Sequence, residues 1–192
     1  MAWNEYPNLV LQVRDLRREA VDVFRQVVVP GREREVGYAQ TLYGYVHRVF
    51  GFIDVLSAYW EGNDKRKQSP RMVDFMEKYM GPNRRAHGVA VQIWRHKLVH
   101  TALPRDLRDS TTGKTMHYMI QWHETQMHPE QPHYTIVAFG RDEVFNLACI
   151  SLLEDLEAAV VDFVADLEAS PSLRANAAQF AKELASYELK AH

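Results

Sequence analysis

Between residues 8 and 28 the apolar side chains Leu9, Val13, Leu16, Ala20, Phe24 and Val27 recur at intervals of three and four. That is the period of a helix with one buried stripe, and Pro30-Gly31 ends it. A longer helix is predicted from about residue 32 to 60, with Ala39, Leu42, Val46, Val49, Phe50, Ile53, Leu56 and Trp60 on one face. Gly62-Asn63-Asp64 and residues 65–70 read as the loop that closes it. A short amphipathic helix over residues 71–80 is stopped by Gly81-Pro82, and Pro82 suits the first position of the next helix. That helix is predicted over residues 83–100, with Ala86, Val89, Ala90, Ile93 and Trp94 inward; Pro104 forbids simple continuation, and residues 101–113 read as a polar loop.

The period then changes from helical to two. Met116, Tyr118, Ile120 and Trp122 alternate with Thr115, His117, Met119, Gln121 and His123, and residues 134–139 alternate likewise, which predicts a β-hairpin. Its connection, residues 125–132, holds two prolines and is a loop rather than a two-residue turn. A third long helix is predicted over residues 142–169, with Phe145, Cys149, Leu152, Leu156, Val160, Phe163 and Leu167 inward. Ser170-Pro171 has the form of an N-cap and first-turn proline for a last helix to residue 187. The expected fold is mainly α: one domain over residues 1–192, a bundle of four long helices with short extras and one β-hairpin inserted at about 114–141.

Composition fits an ordinary folded domain: in 192 residues, 46% are hydrophobic and 25% charged, which argues against disorder and disulfide-rich miniproteins. The single cysteine, Cys149, sits in an apolar run and has no internal partner to bridge to. The first twenty residues mix charges into their apolar positions, unlike a secretory leader. The longest uncharged stretch, residues 36–47, is 12 residues, short of the ~18 needed for a membrane span. A soluble, cytoplasmic protein without membrane contact is expected. Charge is polarised along the chain: residues 1–100 hold 16 basic and 11 acidic side chains, residues 101–192 hold 7 and 14. Lys65, Arg66, Lys67, Arg71, Arg84, Arg85 and Lys97 belong to the most basic stretch, residues 65–97, and are the candidate RNA contacts.

The most informative segment is Arg95-His96-Lys97-Leu98-Val99-His100, at the end of a predicted helix. Imidazole transfers protons at neutral pH, and guanidinium offers a planar fork of donors to phosphate oxygens whose charge grows in the transition state. A helix C-terminus favours a protonated His100. Together they suit cleavage of a phosphodiester without a metal or other cofactor, and a 2′-hydroxyl nucleophile would confine that chemistry to RNA. On an ideal helix Arg95 and His100 stand about 140° apart, so convergence needs a distorted helix end or a second copy of the motif from a partner chain.

An Arg followed by a polar residue and, at the fifth position on, a His, at the end of a helix in a helical bundle, resembles the R-x4–6-H motif of the HEPN superfamily. The long helix ending Ser57-Ala58-Tyr59-Trp60 and the short basic helix before the motif add to the likeness, which covers about residues 12–103 and the third long helix. The resemblance implies a metal-independent endoribonuclease acting as a homodimer, its motifs facing each other across a two-fold axis. Arg95 and His100 would be catalytic and His96 auxiliary. It also admits a toxin with an antitoxin or other partner protein, or a catalytically silent module for dimerisation or nucleotide or RNA binding. No DNA specificity is evident.

Other features compete. His117, His123, His128 and His133 on or beside the hairpin are of a type that ligates zinc, but exposed loop histidines are the default and no metal site is expected. A helical ligand-binding protein unrelated to HEPN would work through that hairpin. The aromatic run Tyr38, Tyr43, Tyr45, Phe50, Phe52, Tyr59, Trp60 fits core or dimer interface better than a base-stacking surface. P-loop, dinucleotide-binding and nucleophile-elbow motifs are absent.

Overall fold

A computed structural model describes residues 6–32, 38–97 and 104–185 of the chain. The N-terminal stripe forms α1 (Tyr6–Val23), which runs straight into a π-wound turn at Phe24–Val28. Arg32 closes that turn, its N–H bonding the Val27 carbonyl at 2.8 Å, instead of opening the next helix; residues 33–37 lie outside the described residues. Within α2 (Tyr38–Glu61), Leu42, Val46, Val49, Phe50, Ile53 and Leu56 are buried, as their spacing predicts. α3 (Gln68–Tyr79) starts a turn before the predicted position. α4 (Arg84–Ala90) is capped by Asn83, whose Oδ1 accepts from the Ala86 N–H at 3.3 Å. Pro82 therefore stands outside the helix, because a side-chain acceptor at Asn83 satisfies one of the unpaired first-turn amides. From Val91 to Lys97 the same helix continues with π winding.

The strand region departs from the expected hairpin. β2 (Thr115–Gln121) and β3 (Thr135–Phe139) occupy the alternating segments but do not pair with each other. Between them lies β4 (Asp142–Ala148), a segment the sequence predicts as the start of a helix. With β1 (Leu107–Arg108), drawn from the predicted polar loop, the sheet order is β1-β2-β4-β3. β2 and β4 are parallel, His117 opposite Val144 and Gln121 opposite Ala148, and the antiparallel hairpin is β3–β4. Two physical facts account for the difference. Alternation fixes which face of a strand is apolar, not which strand lies beside it. Val144, Phe145, Asn146, Leu147 and Ala148 are all buried, so an interior strand reads as an unbroken run that mimics a buried helix.

α5 (Cys149–Ala169) begins at the residue after β4. α6 (Pro171–Ala185) follows, and Ser170 Oγ accepts from the Leu173 N–H at 3.3 Å, the predicted cap. α1 packs on α5, and α2 lies against α3, α5 and α6. Trp94, Trp122, Phe50, Phe75, Phe145 and Phe163 are the largest fully buried side chains. Met116, Tyr118 and Ile120 turn one face of β2 onto this core. Gly62, beyond the end of α2, has φ +87, and a Cβ there would stand 3.0 Å from the Asn176 Cα; a left-handed turn and a close approach both require glycine. Among the described residues no helix is long and apolar enough to cross a membrane.

Candidate functional site

The helix that carries the Arg-His motif is held near its start and again at the beginning of its π-wound segment. Near its start, His87 is fully buried. Its Nε2 donates to the Gly81 carbonyl at 2.8 Å and its Nδ1 accepts from the Tyr134 hydroxyl at 3.0 Å, a tautomer assigned from these partners. Burial pulls the His87 pKa below the ordinary histidine value, and the Gly81 hydrogen bond only partly opposes it. Tyr134 itself is held at φ +59, its N–H bonded to the Asn146 carbonyl at 2.8 Å.

Toward the other end, Val91, Ile93 and Trp94 of the π-wound segment are buried. The Trp94 ring lies 5.9 Å from Tyr43 and meets Tyr118 edge-on at 5.3 Å, while its Nε1 has no hydrogen-bond partner among the described residues. Tyr118 in turn donates to the Pro104 carbonyl at 3.3 Å, and burial together with Tyr43 pushes its phenol up to about 12. One ring on β2 therefore touches the motif helix and the point where the described chain resumes. The alternation marks Tyr118 as inward-facing, but nothing in the sequence pairs it with Trp94. Arg95, His96 and Lys97 fall within the π-wound segment by backbone. His100 lies outside the described residues.

The basic stretch separates into two kinds of residue. Arg71 is 4% exposed and structural. Its Nη2 donates to Asp54 Oδ1 at 2.8 Å, Nε to Ser57 Oγ at 3.1 Å and Nη1 to the Asn63 carbonyl at 3.3 Å. It ties α3 to α2 and takes no part in a surface for RNA, because its donors are turned inward and satisfied. Lys65, Arg66, Lys67, Arg84 and Arg85 lie at the surface. Arg66 and Arg84 share Asp74, at 2.6 and 2.7 Å; their hydrogen bonds outweigh burial and hold its carboxyl below the ordinary range. Arg85 pairs with Glu143, and Lys65 reaches Glu183 at 4.0 Å. Solvent screens such exposed pairs, so they hold these side chains only loosely. Lys67, exposed, stands at the start of α3. A groove of about 580 Å³ runs between that start and the motif helix, bounded by Lys67, Gln68, Ser69, Arg84, Gly88 and Gln92.

His117, His123, His128 and His133 do not converge. His117 Nδ1 bonds Asp106 at 2.8 Å. His123 caps the 3₁₀ turn Glu124–Gln126 and stacks on Phe24. His128 accepts from the Glu130 N–H, and His133 joins the Ala148 N–H to Asp155. Among the described residues no group of three or more His, Cys, Asp or Glu is placed to hold a metal. Compared with known proteins, the chain matches no family profile, no curated protein and no solved structure.

Proposed function

We propose that the protein is a metal-independent endoribonuclease of the HEPN type, acting in the cytoplasm as a homodimer. In this reading the substrate's 2′-hydroxyl attacks the adjacent phosphorus, the bond to the 5′-oxygen breaks, and the products carry a 2′,3′-cyclic phosphate and a 5′-hydroxyl. A His100 imidazole takes the proton of the attacking hydroxyl, and its copy from the other protomer protonates the leaving oxygen. Arg95 neutralises the phosphate oxygens, and His96 assists.

The observation that carries the reading is the winding of the motif helix. π-Helical turns are rare and gather at functional sites, and the one over Val91–Lys97 contains Arg95 and His96. On an ideal α-helix Arg95 and His100 would stand on different sides, so the motif calls for a helix end that departs from α geometry, and the π winding up to Lys97 supports that reading.

The test is cleavage of single-stranded RNA in EDTA. Wild type is expected to cut and leave 2′,3′-cyclic ends; Arg95→Ala and His100→Ala each lose about 10²–10⁴ in rate, and 2′-O-methylated RNA resists. Undiminished cleavage by His100→Ala, or no cleavage by wild type across RNAs, overturns the reading; in the second case the motif belongs to a silent binding module.

A further inference from the structure

A second cavity, of about 370 Å³, opens between α4 and the β1–β2 hairpin. Its rim carries Arg85 from α4, Arg108 from β1 and Lys114 from the turn into β2, and its walls include the apolar side chains of Val89, Leu107 and Met116. Two carboxylates also reach it, and both are engaged. Glu143 pairs with Arg85. Asp109 Oδ1 accepts from the N–H groups of Thr111 and Thr112 at 2.7 and 3.2 Å, so it braces the turn from within. That turn is closed further by the Asp109 N–H to the Lys114 carbonyl at 2.9 Å and the Gly113 N–H to the Asp109 carbonyl at 2.8 Å. The strand register sets Arg108 opposite Thr115, and both line the cavity. Cations on a braced rim over an apolar wall form a surface with two chemistries: charge for a phosphate and apolar contact for a base.

We infer that this cavity binds a nucleotide of a single RNA strand, with Arg108 and Lys114 on its phosphates, Arg85 exchanging Glu143 for the same group, and the base against Val89, Leu107 and Met116. Val89 stands six residues before Arg95 on the same helix, so a strand held at the cavity would run along that helix toward the motif. The inference rests on the RNA reading above and adds a subsite that holds the strand while the motif acts on it. Arg108 and Lys114 escape notice in the sequence because they are separated by the turn and lie in the acidic half of the chain.

The experiment uses a fluorescent single-stranded RNA of about ten nucleotides, 2′-O-methylated throughout, so that binding is read without cleavage. Each phosphate contact to a single strand contributes about 0.7 to the slope of log affinity against log salt. Removing two contacts with R108A/K114A therefore lowers the slope by about 1.4, and about 25-fold in affinity is lost at about 0.1 M salt. Both side chains lie on residues that are exposed, and circular dichroism checks the fold. A charge-matched control on other exposed positions, R18A/K182A, is expected to lose less than about threefold, the limit for a diffuse field effect. Equal losses in the two double variants, or no binding by wild type at tens of micromolar, overturn the subsite. Because the probe cannot be cut, the two readings fail separately. Binding that depends on Arg108 and Lys114 in a protein that never cleaves RNA upholds the subsite and removes the ribonuclease; cleavage unaltered in R108A/K114A does the reverse. Free mononucleotide in the same titration distinguishes a strand-binding subsite, in which it competes only weakly, from a nucleotide pocket, in which it displaces the probe and overturns the strand assignment.

Discussion

Replacing Arg71 by methionine keeps most of the stem and removes the charge. Three hydrogen bonds go with it, to Asp54, Ser57 and the Asn63 carbonyl. Truncating one partner of a buried ion pair costs about 3–5 kcal/mol, because the other charge is left uncompensated. Here the cost falls at the low end. The Asp54 side chain keeps 20% of its surface in water and still accepts from Gln68, and Ser57 still donates to the Asp54 carbonyl at 2.7 Å. The expected loss is about 3 kcal/mol. For a domain of this size 1 kcal/mol moves Tm by roughly 2–4 °C, so Tm should drop by about 6–12 °C. Calorimetry and urea titration measure it, and D54N/R71M should be less destabilised than the two single variants added together. The same variant, assayed below its melting range, should bind the 2′-O-methylated RNA with the wild-type salt slope. A Tm within about 2 °C of wild type, or a slope reduced by about 0.7 in folded protein, would return Arg71 to the RNA-contacting surface and refute the structural assignment.

His87 gives a pH signature. Its folded pKa is depressed below 6.5, so the unfolded chain takes up a proton first as pH falls. The contribution is intact above about pH 6.5 and is lost on acidification toward the folded pKa, at no more than 1.36 kcal/mol per pH unit. His87→Gln should flatten this dependence between pH 6.5 and 5 in urea titrations, and identical slopes in the two proteins would refute it. Two glycines with positive φ separate strain from clash. Gly31→Ala meets nothing within 4 Å among the described residues and should cost about 1 kcal/mol, whereas Gly62→Ala runs into the Asn176 backbone at 3.0 Å and should cost at least twice as much. The reverse order of melting temperatures would sink that distinction.

The helices were legible because their evidence is local. The three- and four-residue spacing in α1 and α2, and Ser170 before Pro171, state a period and a boundary within a few positions. The pairing of the sheet was not, since the partner of β2 is β4, more than twenty residues on, and no local period records it. π winding is equally silent: Ala90, Ile93 and Trp94 read as an ordinary buried stripe, and the extra residue per hydrogen-bonded ring shows only in the backbone. The motif itself was visible because Arg95, His96 and His100 are sequence neighbours. Its supports, Tyr43 and Tyr118, come from other elements. Arg71 was misassigned for a related reason, as charge in a sequence says nothing about the direction in which the side chain is turned.

β4 gives way to α5 at a single peptide bond, between Ala148 and Cys149, and the Ile150 N–H is bonded to the Trp122 carbonyl at the end of β2 at 3.0 Å. This joint has no slack. α5 has 21 residues, about 30 Å of helix, so each degree of rotation at the sheet carries its far end through roughly 0.5 Å by that length. There Asp166 grips Lys78 and Tyr79 of α3, and displacement arrives as a pull on that helix. The same rigidity decides where the chain tolerates changes of length. One residue inserted between Ala148 and Cys149 would turn α5 by about 100° and swing Leu156, Val160 and Phe163 away from the core they now fill. One inserted among residues 127–132 lengthens only a largely exposed connection, so an insertion there should be tolerated where one at the joint is not.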